Sequence, residues 1–224
     1  VETLDFKRVV IIANGDLKTP GFYRKMLRED DYIICADGGT DHAKTLGLIP
    51  HSIIGDLDSV DSELINSISA GKTEVIKYPA EKDQSDLELA VAYAVKLKPA
   101  EIVIVGALGG CRFDHSIFNL MLLKLPLVAG IPARIIDHCQ DLFMLQGETA
   151  QDKIRLEGQP GDYVSLFPLT DKVEGINTEG LKYGLNNGSL FFSSSRGLSN
   201  ELISNYFSVS ISRGMLIVIK TRNS

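Results

Sequence analysis

Up to Ile136 the chain alternates short apolar runs with amphipathic stretches, and after Gln140 that alternation stops. Val9 to Ala13, Tyr32 to Cys35, Ser52 to Ile54, Glu74 to Lys77, Ile102 to Val105 and Ala133 to Ile136 read as strands, and the segments between them as helices. Runs without polar alternation suit strands buried on both faces. Strand and helix in turn require crossover connections, so the first half predicts a mostly parallel sheet covered on both sides. The clearest helix spans Asp86 to Lys98, where Leu87, Ala90, Val91, Ala94 and Val95 recur at helical spacing and Pro99 ends the run.

Beyond Gln140 the segments "KIRLEG", "YVSLFPL", "YFSVSIS" and "MLIVIK" alternate polar with apolar residues, punctuated by Gly, Pro and Asn-Asn-Gly. That pattern predicts an antiparallel sandwich or barrel, with a boundary between Asp137 and Asp152. At 224 residues and 44% hydrophobic, the chain can supply each half with its own core. A net charge of -6 without any Lys/Arg run argues against a nucleic-acid surface, so a bound nucleotide is expected to be a small one. The stretch from Leu120 to Ile131 is broken by Lys124, Pro126 and Gly130, and no signal-peptide pattern precedes the first strand; no membrane association is expected. Three scattered cysteines, Cys35, Cys111 and Cys139, suit a reducing cytoplasm better than a disulfide framework.

The residues just past each strand carry the chemistry. After the first comes "NGD" (Asn14, Gly15, Asp16); after the second, "ADGGTD" with Asp37, Gly38, Gly39 and Asp41; after the third, "GDLDS" with Asp56 and Asp58. After the fourth comes "YPAEKDQSDLE" with Asp83 and Asp86, and after the fifth "GALGGCRFDH" with Gly109, Gly110, Arg112 and Asp114. In a parallel sheet these ends share one edge, where ligands of open α/β folds bind. Glycines there let backbone N–H groups approach phosphate oxygens, whereas carboxylates have the wrong charge for phosphate unless a cation lies between. Two carboxylates about 4 Å apart repel by roughly 1 kcal/mol in water and roughly 4 kcal/mol at an effective dielectric near 20. Mg²⁺ would compensate them and still leave positions for water and substrate phosphate.

Plainer roles compete at each position. Aspartate after a strand can be a helix N-cap or first-turn residue, Ser85 with Glu88 fits a capping box, and Ser59 can cap a helix beginning near Val60. Asp114 can simply pair with Arg112. Those readings do not explain why carboxylates recur at successive strand ends. Other chemistries have less support: the histidines show no paired metal spacing, His138 and Cys139 fall in an expected strand where they would face opposite ways, and no G-x-G-x-x-G occurs.

The ordered set "ADGG", "GDLDS", "KDQSDLE" and "GGCRFDH", with "GLSNE" later in the β-rich half, resembles the thiamin pyrophosphokinase family over nearly the whole chain. The resemblance implies a Rossmann-like parallel α/β domain over residues 1–140 that binds ATP and Mg²⁺. An antiparallel β-sandwich over 141–224, binding thiamin and forming a homodimer, would complete the chain. It implies transfer of a pyrophosphoryl group from ATP to the hydroxyethyl oxygen of thiamin, giving thiamin diphosphate and AMP. Asp56, Asp58 and Asp86, supported by Asp37 and Asp83, would hold Mg²⁺. The N–H groups around Asn14, Gly15, Gly38, Gly39, Gly109 and Gly110 would cradle the nucleotide and Arg112 would counter phosphate charge. Asp114 or Asp86 would accept the alcohol proton, and Ser199 and Asn200 would hydrogen-bond thiamin. Two departures from the family pattern stand out: Ser85 replaces the usual Thr, and Cys111 separates the glycines from Arg112. The strand leading into D-x-D also resembles haloacid-dehalogenase-like phosphatases, and a non-catalytic nucleotide sensor would use the same crevice.

Overall fold

A computed structural model describes residues 8–56, 71 and 73–223. The chain forms two compact units, Val1–His138 and Cys139–Ser224. The first contains strands β1 (Arg8–Ile12), β2 (Tyr32–Ala36), β3 (Ser52–Gly55), β4 (Glu74–Lys77), β5 (Glu101–Val105) and β6 (Ala133–Ile136). They pair in parallel in the order β6-β5-β1-β2-β3-β4. The chain therefore moves outward from β1 to β4 and then crosses back to the other side of β1. The reversal lies between β1 and β5, and the diverging connections open a crevice at their carboxyl ends.

Every residue of β1 and β3 is buried, as the uninterrupted apolar runs require. Val10, Ile12, Ile33, Cys35 and Ile53 pack with Ala43 and Leu46 of helix α2 (Gly39–Leu46) and with Tyr23 of α1 (Pro20–Met26). Ile11 and Ile34 alternate with them onto the opposite face. Helix α3 (Asp86–Lys96) buries Leu87, Ala90, Val91 and Ala94 and stops short of the sequence estimate at Leu97. Its N-cap is Ser85, whose Oγ accepts the Glu88 N–H at 3.2 Å, so half of the expected capping box is formed. Two helices come after β5, α4 (Phe113–Met121) and α5 (Lys124–Val128).

The second unit is a sandwich, and the barrel alternative is set aside. One sheet has the order β12-β9-β14-β7, from Asn200–Glu201, Tyr163–Pro168, Met215–Thr221 and Gln140–Gln146. The other has β11-β10-β13-β8, from Gly188–Phe191, Lys172–Glu179, Tyr206–Ser210 and Lys153–Glu157. All these pairings are antiparallel, and Leu145, Val164, Leu166, Val218 from one sheet meet Val173, Ile176, Phe207, Val209 from the other in a common core. His138 and Cys139 depart from expectation: they lie in a bend between β6 and β7 rather than in a strand, so the alternation of strand faces does not apply to them. No helix among the described residues is long and apolar enough to cross a membrane.

Candidate active site

A cavity of 420 Å³ opens at the carboxyl edge of the parallel sheet, over the reversal between β1 and β5. Asn14, Gly15 and Asp16 line it from the β1 end, Asp37 from β2, Ser85 and Asp86 from the start of α3, and Gly109, Gly110 and Arg112 from the β5 end. Residues separated by nearly a hundred positions thus meet because parallel strands end together.

Close backbone approach explains several of the glycines. A β-carbon on Gly39 would stand 2.1 Å from the Ile12 carbonyl oxygen, so glycine lets the first turn of α2 seat against the end of β1. One on Gly15 would stand 2.5 Å from the Gly106 oxygen. The Gly15 N–H itself donates to that oxygen at 2.6 Å, and the Asp16 N–H donates to Leu108 at 3.0 Å. The expectation that the Gly15 N–H cradles phosphate is therefore corrected: that donor joins the β1 and β5 connections to each other. Among the described residues, the N–H groups of Gly109 and Gly110, which line the cavity, donate to no backbone carbonyl and are suited to an anion; Gly38 does not line it.

The carboxylates are arranged around Gly55. A β-carbon there would meet Asp37 Cβ at 3.1 Å and Asp86 Oδ1 at 3.2 Å, so a side chain at this position would push the two carboxylates apart by a few tenths of an ångström. Asp37 Oδ1 and Asp86 Oδ1 are both buried without a hydrogen-bond partner. Asp37 also holds a left-handed backbone, φ 42°, uncommon for a residue with a side chain and frequent where function imposes strain. Lys82 Nζ lies 3.0 Å from Asp86 Oδ1 and 3.8 Å from Asp56 Oδ2. The contact with Asp86 is charge pairing without the angles of a directed hydrogen bond, which reconciles the short distance with the unsatisfied oxygen. Buried oxygens with no donor are costly unless something else binds them, and a hard divalent cation has the matching chemistry. Asp37 and Asp86 present oxygens of that chemistry, while ligand atoms of Asp37, Asp56 and Asp86 do not all come within 4.8 Å of one another; among the described residues that spacing is met by Asp137, His138 and Cys139. Asp83 is exposed, while Asp58, Ser59 and the helix expected near Val60 lie outside the described residues.

At the other rim, Arg112 and Asp114 form the pair that was the plainer reading of both. Arg112 Nε donates to Asp114 Oδ1 at 3.0 Å and Nη2 to Oδ2 at 2.6 Å, with both side chains well exposed. The hydrogen bond from Arg112 lowers the Asp114 carboxyl to about 2. So acidic a group is a weak proton acceptor, which leaves Asp86 the better candidate of the two named for that role.

Three contributors escaped the sequence reading. Lys82 sits inside a motif already quoted, in the loop four residues before Asp86, where a four-residue spacing outside a helix announces no contact. His42 Nε2 lies 2.7 Å from the Gly15 carbonyl and Asn119 Nδ2 donates to the Ala107 carbonyl at 2.7 Å. Each fixes a glycine-rich connection from a neighbouring helix, and neither spacing announces its partner.

In the second unit Ser199 adopts φ 54°, and its N–H donates to Ser165 Oγ at 3.0 Å. Asn200 differs from expectation: its amide oxygen accepts the Tyr183 N–H at 3.0 Å and its amide nitrogen donates to the Tyr183 carbonyl at 2.8 Å. Asn200 thus clamps the chain at Tyr183, and the exposed Ser199 hydroxyl is the freer group of the pair.

Comparison with known proteins supplies an independent line. Residues 23–133 match the family described as "Thiamin pyrophosphokinase, catalytic domain", and residues 151–216 match "Thiamin pyrophosphokinase, vitamin B1 binding domain". The chain is 33% identical to the thiamine pyrophosphokinase of Bacillus subtilis (strain 168) over 216 residues, covering 96% of this chain and 99% of the relative. A crystal structure of thiamine pyrophosphokinase from Bacillus subtilis superposes with a TM-score of 0.85 at 30% identity, covering 97% of this chain and 100% of that one. One from Geobacillus thermodenitrificans gives 0.81 at 30% identity, with 97% and 98% covered.

Proposed function

The chain belongs to the thiamin pyrophosphokinase family of enzymes, and on that premise we propose that it transfers the pyrophosphoryl group of ATP to thiamin, releasing AMP. The observation that carries the site assignment is the pair of buried, hydrogen-bond-free oxygens of Asp37 and Asp86 beside the 420 Å³ cavity. With Asp56, and with Asp58 and Asp83 as further contributors, they would hold Mg²⁺. When bound, the cation would draw charge from the phosphate oxygens and lower the cost of attack at the β-phosphorus.

The chain's own residues do the remaining work. Gly109 and Gly110 offer N–H groups to the phosphates, and Arg112, held at the rim by Asp114, offsets their charge. In the transfer, the hydroxyethyl oxygen of thiamin bonds to the β-phosphorus as the bond to the α–β bridging oxygen breaks, and AMP leaves with that oxygen. Asp86 receives the alcohol proton. Because the alcohol is a weak nucleophile, alignment of the two substrates carries much of the rate. Ser199 contributes a hydroxyl to thiamin from the second unit, with Asn200 and Tyr183 shaping the backbone around it.

We further propose a cytoplasmic homodimer. Cys35, Cys111 and Cys139 are not joined in a disulfide, which supports a reducing compartment. The outward apolar side chains of α4, Phe113 at 76% and Phe118 at 72% exposure, support a partner surface. Sedimentation equilibrium tests the assembly: a species at the chain mass of 24.5 kDa would remove the dimer.

The activity is tested by incubating the protein with ATP, Mg²⁺ and thiamin and identifying the products. AMP with thiamin diphosphate is the expected outcome, lost in Asp86→Asn. Inorganic phosphate alone would mean a phosphatase, and unchanged ATP a nucleotide sensor.

A further inference from the structure

Lys82 stands in the position a cation would take. Its side chain is only 11% exposed, with the ammonium 3.0 Å from Asp86 Oδ1 and 3.8 Å from Asp56 Oδ2. Nζ also donates to the Pro79 carbonyl at 3.2 Å, which fixes it from within its own loop. An ammonium is a compact point charge on a flexible stem, so it can neutralise carboxylates in one state and leave them in another. Asp37 Oδ1 keeps no partner in this arrangement, so one positive charge does not satisfy the group.

We propose that Lys82 is an internal counter-ion that occupies Asp56 and Asp86 in the nucleotide-free protein and makes entry of a divalent cation depend on nucleotide phosphate. The inference rests on the Mg²⁺ and ATP reading above. A cation entering alone must approach carboxylates already paired with the ammonium and meets its repulsion. A triphosphate entering the cavity offers Lys82 another partner, and the ammonium turns to it as the carboxylates accept the metal. Nucleotide and cation affinities are then coupled, and each raises the other. Free Mg²⁺ would not load the site ahead of substrate. Lys82 is a positioning residue in this scheme, acting on the reaction through the carboxylates.

The test uses Mn²⁺ alone as the probe, titrated into nucleotide-free protein and monitored by the electron paramagnetic resonance of the free ion. Wild type should bind weakly. Lys82→Met should bind at least about tenfold more tightly, because a unit charge about 4 Å from a divalent ion opposes it by more than that factor even with water's screening. Lys82→Arg, which keeps the charge, should behave as wild type. A purely structural lysine predicts the reverse for Lys82→Met, since losing it would loosen the site and weaken Mn²⁺ binding. Equal or weaker binding in Lys82→Met overturns the proposal. If that variant fails to melt like wild type, Lys82→Gln is compared with Lys82→Arg, and equal Mn²⁺ affinities in those two overturn it equally. Product analysis of the wild type separates the two readings. Turnover of ATP and thiamin without tighter Mn²⁺ binding by Lys82→Met removes only the role of Lys82; tighter binding without turnover removes only the substrates.

Discussion

Replacing Asp37 with Asn should make the protein more stable and almost inactive. Asp37 and Asp86 close around Gly55, where a β-carbon would meet them at 3.1 Å and 3.2 Å, and each keeps a buried oxygen without a hydrogen bond. Two unit charges about 5 Å apart repel by about 3 kcal/mol at an effective dielectric near 20, and by under about 1 kcal/mol in water. Lys82 offsets part of this through Asp86, so removing the Asp37 charge should leave a net gain of about 1 kcal/mol. For a chain of this size that corresponds to a rise in Tm of about 2–4 °C. Asn is the appropriate replacement because Asp37 sits at φ 42°, and Asn tolerates the left-handed region as Asp does. Volume and backbone cost stay nearly constant, while the charge is removed and one acceptor oxygen becomes an N–H donor. Calorimetry without metal reads the stability, and AMP release reads the activity, expected to fall by about 100-fold or more. In the wild type Mg²⁺ with ATP should raise Tm further, and in the variant much less. A lower Tm for Asp37→Asn would refute the reasoning, because it would mean that the carboxylate is satisfied by the fold.

Two further predictions concern the same unit. Arg8 and Asp31 form a buried pair, 2.6 Å apart at 3% and 0% side-chain exposure, so Asp31→Ala should cost about 3–5 kcal/mol and lower the urea midpoint, whereas Arg8→Met with Asp31→Leu should recover much of that loss. An Asp31→Ala midpoint equal to wild type would contradict this. His51 accepts the Ile33 N–H on Nδ1 at 3.0 Å and stacks on Tyr32, and burial holds its pKa below the ordinary value. The folded state therefore favours the neutral ring: this stability is complete above about 6.5, the unfolded value, and is lost as pH falls through the lower folded value. Between about pH 7.5 and about pH 5 wild type should lose more Tm than His51→Gln, and equal losses would exclude His51 as the cause.

The legible parts of the fold were those where one local rule decides. Strands β1 and β3 are buried along their whole length, so continuous apolar runs betray them without knowledge of their partners. In the sandwich β8, β9, β13 and β14 show in the sequence, while β7 and β10 to β12 do not. Strand β12 has two residues, and β10 breaks register between Glu174 and Ile176, where Gly175 adopts φ 65° and a β-carbon would strike Ser212. A bulge erases the period that sequence reading depends on. The acidic rim was legible because parallel topology alone brings the strand ends together. The partners were not. Nothing in "NGD" says that Gly15 gives its N–H to Gly106, and nothing in "GLSNE" says that Asn200 spends its amide on Tyr183.

Asp86 shows why the functional and the plain readings of these motifs were never true alternatives. It is the first residue of α3, where the exposed N–H groups and the helix dipole favour a negative charge, and Ser85 caps the same turn. Its carboxylate also faces the cavity, with one oxygen lacking a hydrogen bond. The helix start supplies a favourable field that partly offsets the repulsion from Asp37 and Asp56, and Lys82 supplies a further positive charge. Those two compensations let a folded chain keep several carboxylates together before any metal arrives. Repulsion between "GDLDS" and its neighbours therefore does not by itself demand a cation. The requirement comes from what remains after the helix and the lysine are counted, namely the buried Asp37 Oδ1, which neither reaches.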